Sequence, residues 1–161
     1  MDVFHRAADI LRCSGTEDAE KIIAELERQL RPAQMTLGDL IEALFALPAG
    51  ALEQSVCFEL PWLYPTRFDS YRGYYDQIAL GVEHVEDLRP GGTGTTGRNL
   101  QDRACATVGQ SFTGWKGGEY KMTARTPVWV DNPGDCSSVA LVGVRSFWGG
   151  AVLLTQRRDL T

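Results

Sequence analysis

The chain has 161 residues, 43% hydrophobic and 23% charged, which is the balance of one soluble globular domain able to bury a core without staples. A formal charge of −5 argues against a general binder of phosphate backbones, and 21 carboxylates opposed by 16 basic side chains fall short of a nucleic-acid mimic's acidic array. Cys13, Cys57, Cys105 and Cys136 lie far apart with no C-x-x-C pair, and His5 and His84 are isolated, so spacing offers neither a metal site nor a cofactor site.

Charges at Asp2, Arg6, Asp9 and Arg12 do not fit a secretory leader, and no apolar run approaches the length of a bilayer span. The expectation is a cytoplasmic protein with free thiols and no membrane partner.

In chain order, Val3, Ala7, Ile10 and Leu11 share a helical face over residues 2–12. Gly15 ends that helix and Thr16 can cap a second, about Glu17 to Leu30, with Ile22, Ile23, Leu26 and Leu30 as its stripe. Thr36 and Asp39 form a capping-box pattern opening a third helix, whose apolar side is Leu37, Leu40, Ile41, Leu44 and Leu47. Pro48 and Gly50 are expected to close it. Alternation then predicts a strand over Ser55–Leu60, with Cys57 as a small buried hydrophobe. Pro61 and Pro65 predict an irregular crossing, followed by a strand over Asp76–Val82 and a polar glycine-rich connection over 83–97. A fourth helix, about Arg98 to Val108, points Leu100, Ala104 and Val108 inward. The rest reads as β: Phe112–Thr113, Glu119–Met122, Pro127–Val130, Val139–Arg145 and Ala151–Gln156, with turns at Asn132-Pro133-Gly134-Asp135 and Gly149-Gly150. The fold class is α+β: a mainly antiparallel sheet with N-terminal helices and one central helix packed on it. Residues 1–161 form a single domain, 1–34 being a helical extension and 35–161 the α+β core.

Three strings carry a resemblance: Asp69 to Leu80 (DSYRGYYDQIAL), Phe112 to Met122 (FTGWKGGEYKM) and Thr126 to Asn132 (TPVWVDN). With the helix opening at Met35-Thr36-Leu37-Gly38-Asp39-Leu40, they resemble a family of small uncharacterised tailed-phage and prophage accessory proteins over about residues 35–145. The resemblance brings no catalytic residues with it. It implies a phage protein acting in an infected bacterium, where such genes often counter host defence.

Gly92 to Asn99 nearly fits G-x-x-x-x-G-K-[ST], but Arg98 replaces the lysine and Asn99 the magnesium-binding hydroxyl, which excludes a nucleoside triphosphatase. A glycine loop entering a helix can still offer N–H groups to an anion, with Arg98 or Arg103 beside it; the plain alternative is a surface loop. Tyr71, Tyr74 and Tyr75 around Arg72 offer stacking surfaces and one cation, which suit a base plus a phosphate. Those rings can equally pack a helix on a sheet, and Arg72 can pair with Asp69 or Asp76. Trp115-Lys116-Gly117-Gly118 has the makings of a gripping loop, or of a tight turn whose Trp115 plugs the core. Trp129 reads as core. Asp131 and Asp135 flank a turn, where aspartate is commonly a cap, and Ser137-Ser138 lacks a nucleophile-elbow context.

These readings predict a binding protein without turnover. It would sequester a small anionic, nucleotide-like ligand through Arg72, Tyr71, Tyr74, Tyr75, Trp115, Lys116, Gly117, Gly118 and Arg98, possible as a homo-oligomer. The alternative is an inhibitor that blocks a bacterial host defence protein. The third reading is a small hydrolase or transferase using Asp76, Glu119 or Asp131.

Overall fold

The computed structural model describes residues 21–22, 25–26, 31–59, 63–71, 78–84, 94–114, 117–131, 138–147 and 149–158. The chain divides into two units, Met1–Ala33 and Gln34–Thr161. In the first, Lys21, Ile22, Glu25 and Leu26 are helical, with both charged side chains exposed and both apolar ones half-buried. The expected helix over 2–12 lies outside the described residues.

The second unit is α+β. Its helices are α1 (Leu37–Phe45), α2 (Ala49–Leu52) and α3 (Gly97–Thr107). Its strands are β1 (Val56–Phe58), β2 (Leu63–Ser70), β3 (Ile78–His84), β4 (Ser111–Thr113), β5 (Glu119–Lys121), β6 (Val128–Val130), β7 (Ser138–Phe147) and β8 (Gly150–Arg158). Six of them form a mixed sheet in the order β1-β8-β7-β6-β3-β2, parallel at β1/β8 and β3/β6 and antiparallel elsewhere; β4 and β5 form a separate antiparallel ribbon.

Strands β1 and β2 are the two edges of the six-stranded sheet, yet only residues 59–62 separate them in sequence. Five Cα steps span at most about 18 Å, whereas six flat strands would place the edges about 24 Å apart. The sheet therefore curls toward a barrel. Its concave face is lined by Val56, Phe58, Phe68, Ile78, Leu80, Val128, Val130, Leu141, Ala151 and Leu153, and is filled by Leu37, Leu40 and Leu44 of α1, Leu100 and Ala104 of α3, and Met122.

Helix α1 is fixed at its start by complete hydrogen bonding. Leu37 and Gly38 donate to the carbonyls of Thr126 and Ala124, Asp39 donates to Thr36 Oγ1, and Leu40 donates to the Thr36 carbonyl. The Asp39 carboxylate accepts from Thr36 N at 2.8 Å, completing the capping box the sequence predicted. Just upstream, Met35 N–H donates to Leu141 O while its carbonyl accepts from Val128, so its backbone continues the hydrogen bonding between β6 and β7 past their last register pair.

Several expectations shift. Helix α1 ends at Phe45, before Pro48 as expected, but Pro48 is also the N-cap of the separate one-turn α2, which contains Gly50. Pro65 lies within β2, where an edge strand tolerates a residue without an N–H. Beyond it, Thr66 and Arg67 of β2 face only Gly81 of β3, and a Cβ at Gly81 would lie 2.5 Å from Thr66 Oγ1. Val108 is the α3 C-cap and is exposed; Thr107, one turn beyond Ala104, takes the inward place. The β7–β8 hairpin closes with Phe147 paired to Gly150, so Gly150 lies in β8 while Gly149, at φ +83°, precedes it.

Helix α3 packs against α2 at Gly97, where a Cβ would meet Leu52 Cα at 3.0 Å. Gly97→Ala is expected to destabilise the fold by about 1–3 kcal/mol through overpacking, and Thr36→Ala by about 1 kcal/mol through loss of the cap. Urea denaturation checks both; an unchanged midpoint for Gly97→Ala would show that α2 can move aside.

Candidate ligand-binding face

Strands with one buried face alternate, and here the alternate residues form a second, smaller cluster on the opposite side of the sheet. Ala79 of β3 and Ala140 of β7 each stand in register with Trp129 of β6. Two small side chains thus flank one large one across three strands. Tyr71, just past β2, lies over the indole with ring centroids 5.1 Å apart and planes 9° from parallel. Stacking of this kind adds about 0.5–1.5 kcal/mol to the burial of the rings. Tyr71 is buried, and its hydroxyl donates to Ser138 Oγ, also buried, at 3.2 Å.

Register brings two further polar side chains to this face. Gln156 of β8 stands opposite Ala140, and Arg158 stands opposite Ser138. The Arg158 Nη2 group lies 3.5 Å from Gln156 Oε1. Trp129 is 6% exposed, and its indole Nε1–H has no hydrogen-bond partner among the described residues. A buried donor without an acceptor costs about 1–3 kcal/mol, so this N–H is where the face is chemically incomplete.

The sequence-predicted residues are distributed differently from a single gripping surface. Tyr71 is a buried member of the aromatic stack. Arg72, Tyr74 and Tyr75 lie outside the described residues, as do Trp115, Lys116, Asp76 and Asp135; Asp69 has Arg67 within 3.7 Å. Gly117 and Gly118 belong to the tight turn of the β4–β5 ribbon: Gly117, at φ +86°, donates to Gly114 O, and Gly114 donates to Gly118 O. Arg98 is paired at the surface with Glu53 at 2.6 Å. The start of α3 is largely satisfied from within, since Gly97 N–H donates to Gln54 O and Asn99 N–H to Thr96 Oγ1. Arg103 donates to the carbonyl of Thr66. Glu119, in β5, and Asp131, just past β6, are both exposed.

Among the described residues no three His, Cys, Asp or Glu side chains could together hold a metal ion, and no described helix is long and apolar enough to cross a membrane. Comparison with protein-family models, curated proteins and solved structures gives no match to this chain.

The sequence reads Trp129 as core and Ser138 only as a serine without an elbow context, and nothing in it singles out Gln156 or Arg158. No local pattern could have found them, because they meet only through the β7–β8 register.

Away from this face, burial pushes the half-buried Cys57 thiol above its ordinary range; burial and then the neighbouring Cys57 push the Tyr64 phenol up. Less thiolate means slower attack on disulfides. With Cys13 and Cys136 replaced by serine, Cys105, which is exposed, should react with an aromatic disulfide reagent well before Cys57. Equal rates would contradict the burial. On the face itself, Tyr71→Phe should cost about 1 kcal/mol, the net value of one buried hydrogen bond, measured by chemical denaturation.

Proposed function

We propose that the protein binds a small anionic, nucleotide-like ligand without turning it over, and that it does so as a phage accessory protein countering defence in the host bacterial cytoplasm. The observation that carries the binding reading is the buried Trp129 N–H without an acceptor. It belongs to the same sheet face as Ser138, Gln156 and Arg158, a set that supplies hydroxyl, amide and guanidinium groups. An anion with a planar polar group suits such a set, because charge-assisted bonds to guanidinium are strong and an indole N–H can only donate. Support for the phage setting is the resemblance of residues 35–145 alone. Arg72, Tyr74, Tyr75, Trp115 and Lys116, which lie outside the described residues, stay in the proposal as further contacts.

A second reading, an inhibitor of a host defence protein, draws on Phe147. It is 52% exposed beside the β7–β8 turn, with the Arg145 guanidinium 5.7 Å from its ring centroid. Aromatic and arginine side chains are the usual anchors of protein interfaces.

Native mass spectrometry of the purified protein, before and after incubation with extract from infected bacteria, tests the first reading. Denaturation should release an intact small anion. Trp129→Phe, which keeps a ring under Tyr71, should bind it about 1.5–3 kcal/mol more weakly, the range for a hydrogen bond to a charged group. Release of a chemically altered molecule would move the case to an enzyme. A co-purifying host protein with no small molecule would favour the inhibitor.

A further inference from the structure

In the ribbon β4–β5, the outer backbone edge of β5 is open among the described residues, and its sequence specifies what fits there. Gly114 N–H donates to Gly118 O and Met122 N–H donates to Gln110 O. These two bonds set the parity of the ladder: Phe112 and Tyr120 exchange backbone bonds, while the N–H and C=O groups of Glu119 and Lys121 point away from β4. No other described segment engages the backbone of either residue, and all three residues of β5 are exposed.

Two residues with outward groups, two positions apart, offer four hydrogen bonds to an antiparallel strand. Parity allows a two-fold axis at Glu119, at Tyr120 or at Lys121 in a self-pairing. Centring on Glu119 sets carboxylate against carboxylate, and centring on Lys121 sets ammonium against ammonium. Centring on Tyr120 sets Glu119 opposite the partner's Lys121, and Lys121 opposite the partner's Glu119. Only the last register is attractive at every charged position, and it also brings the two Tyr120 side chains opposite each other as a non-hydrogen-bonded pair.

We propose that β5 is a homodimerisation edge: a second copy of this chain adds antiparallel through Glu119-Tyr120-Lys121, joining two ribbons into one four-stranded sheet. Such an isologous contact closes on itself and cannot propagate. A lysine on an open edge ordinarily discourages strand addition. Here the lysine opposes the register centred on itself and the glutamate opposes the one centred on Glu119, leaving the register in which each faces the other. The proposal does not depend on the Trp129 face and stands or falls separately from it.

Sedimentation equilibrium over a wide concentration range reads the association. Glu119→Lys places lysine opposite lysine at both symmetric positions, and Lys121→Glu places glutamate opposite glutamate. Each alone should weaken self-association about tenfold or more. An equimolar mixture of the two variants should recover it as a heterodimer, since each then presents uniform charge to the other. The double variant Glu119→Lys/Lys121→Glu should dimerise like the parent chain. Circular dichroism confirms that each variant folds. A chain that stays monomeric at every concentration, or association that the single swaps leave unchanged, would overturn the proposal.

Discussion

The short link between β1 and β2 constrains everything else in the second unit. Because these edge strands cannot separate as far as a flat six-stranded sheet requires, the sheet must bend, and bending makes its two faces unequal. The concave face encloses enough volume for the apolar sides of α1 and α3, and it carries the main core. The convex face has no described helix in its cluster. Its compact substitute is Tyr71 laid on Trp129 between two alanines. Bulges in β2 and β7 add local twist, and Gly81 makes the first possible by leaving room for Thr66.

Buried polar groups occur on both sides of the sheet: Gln101 of α3, the helix that fills the concave face, buries an amide nitrogen with no hydrogen-bond partner among the described residues. On the outer face, the same alternation that hides Leu141 and Leu153 presents Ser138, Gln156 and Arg158. Trp129 adds a buried N–H without adding an acceptor. A phenylalanine would fill much of the same stack without that cost, so the indole suggests a role beyond packing.

The sequence was most legible where structure is local. Thr36 and Asp39 announce α1 because both halves of a capping box lie within one turn. Gly149 marks the β7–β8 turn because a positive φ suits glycine. The inward stripe expected of α3 holds at Leu100 and Ala104 and breaks at Val108, the C-cap, because the helix ends at Thr107. Legibility ended where distant residues meet. Tyr71 beside Arg72 looks like half of a stacking platform, but its ring is committed to Trp129, 58 positions away. Arg98 after a glycine loop looks like an anion contact, but Glu53, 45 positions upstream, supplies the carboxylate it pairs with. Neither partner has a local signature, since both pairings depend on how strands and helices assemble.

The treatment of sheet edges is the last step of the same logic. Along β1, Val56 N–H donates to Thr95 O, and Ser55 bridges Thr96, so part of that edge is occupied. Strand β2 is interrupted by Pro65 and its bulge, and Arg103 caps the bulge carbonyl of Thr66. Each device removes or disrupts hydrogen-bonding groups that another strand could use. In β5 the backbone groups of Glu119 and Lys121 are left in place and only charge guards them. Covering an edge rejects all strands alike, whereas a charge pattern rejects some and accepts others. An edge guarded by one glutamate and one lysine about a central tyrosine accepts its own sequence in reverse, which makes it selective.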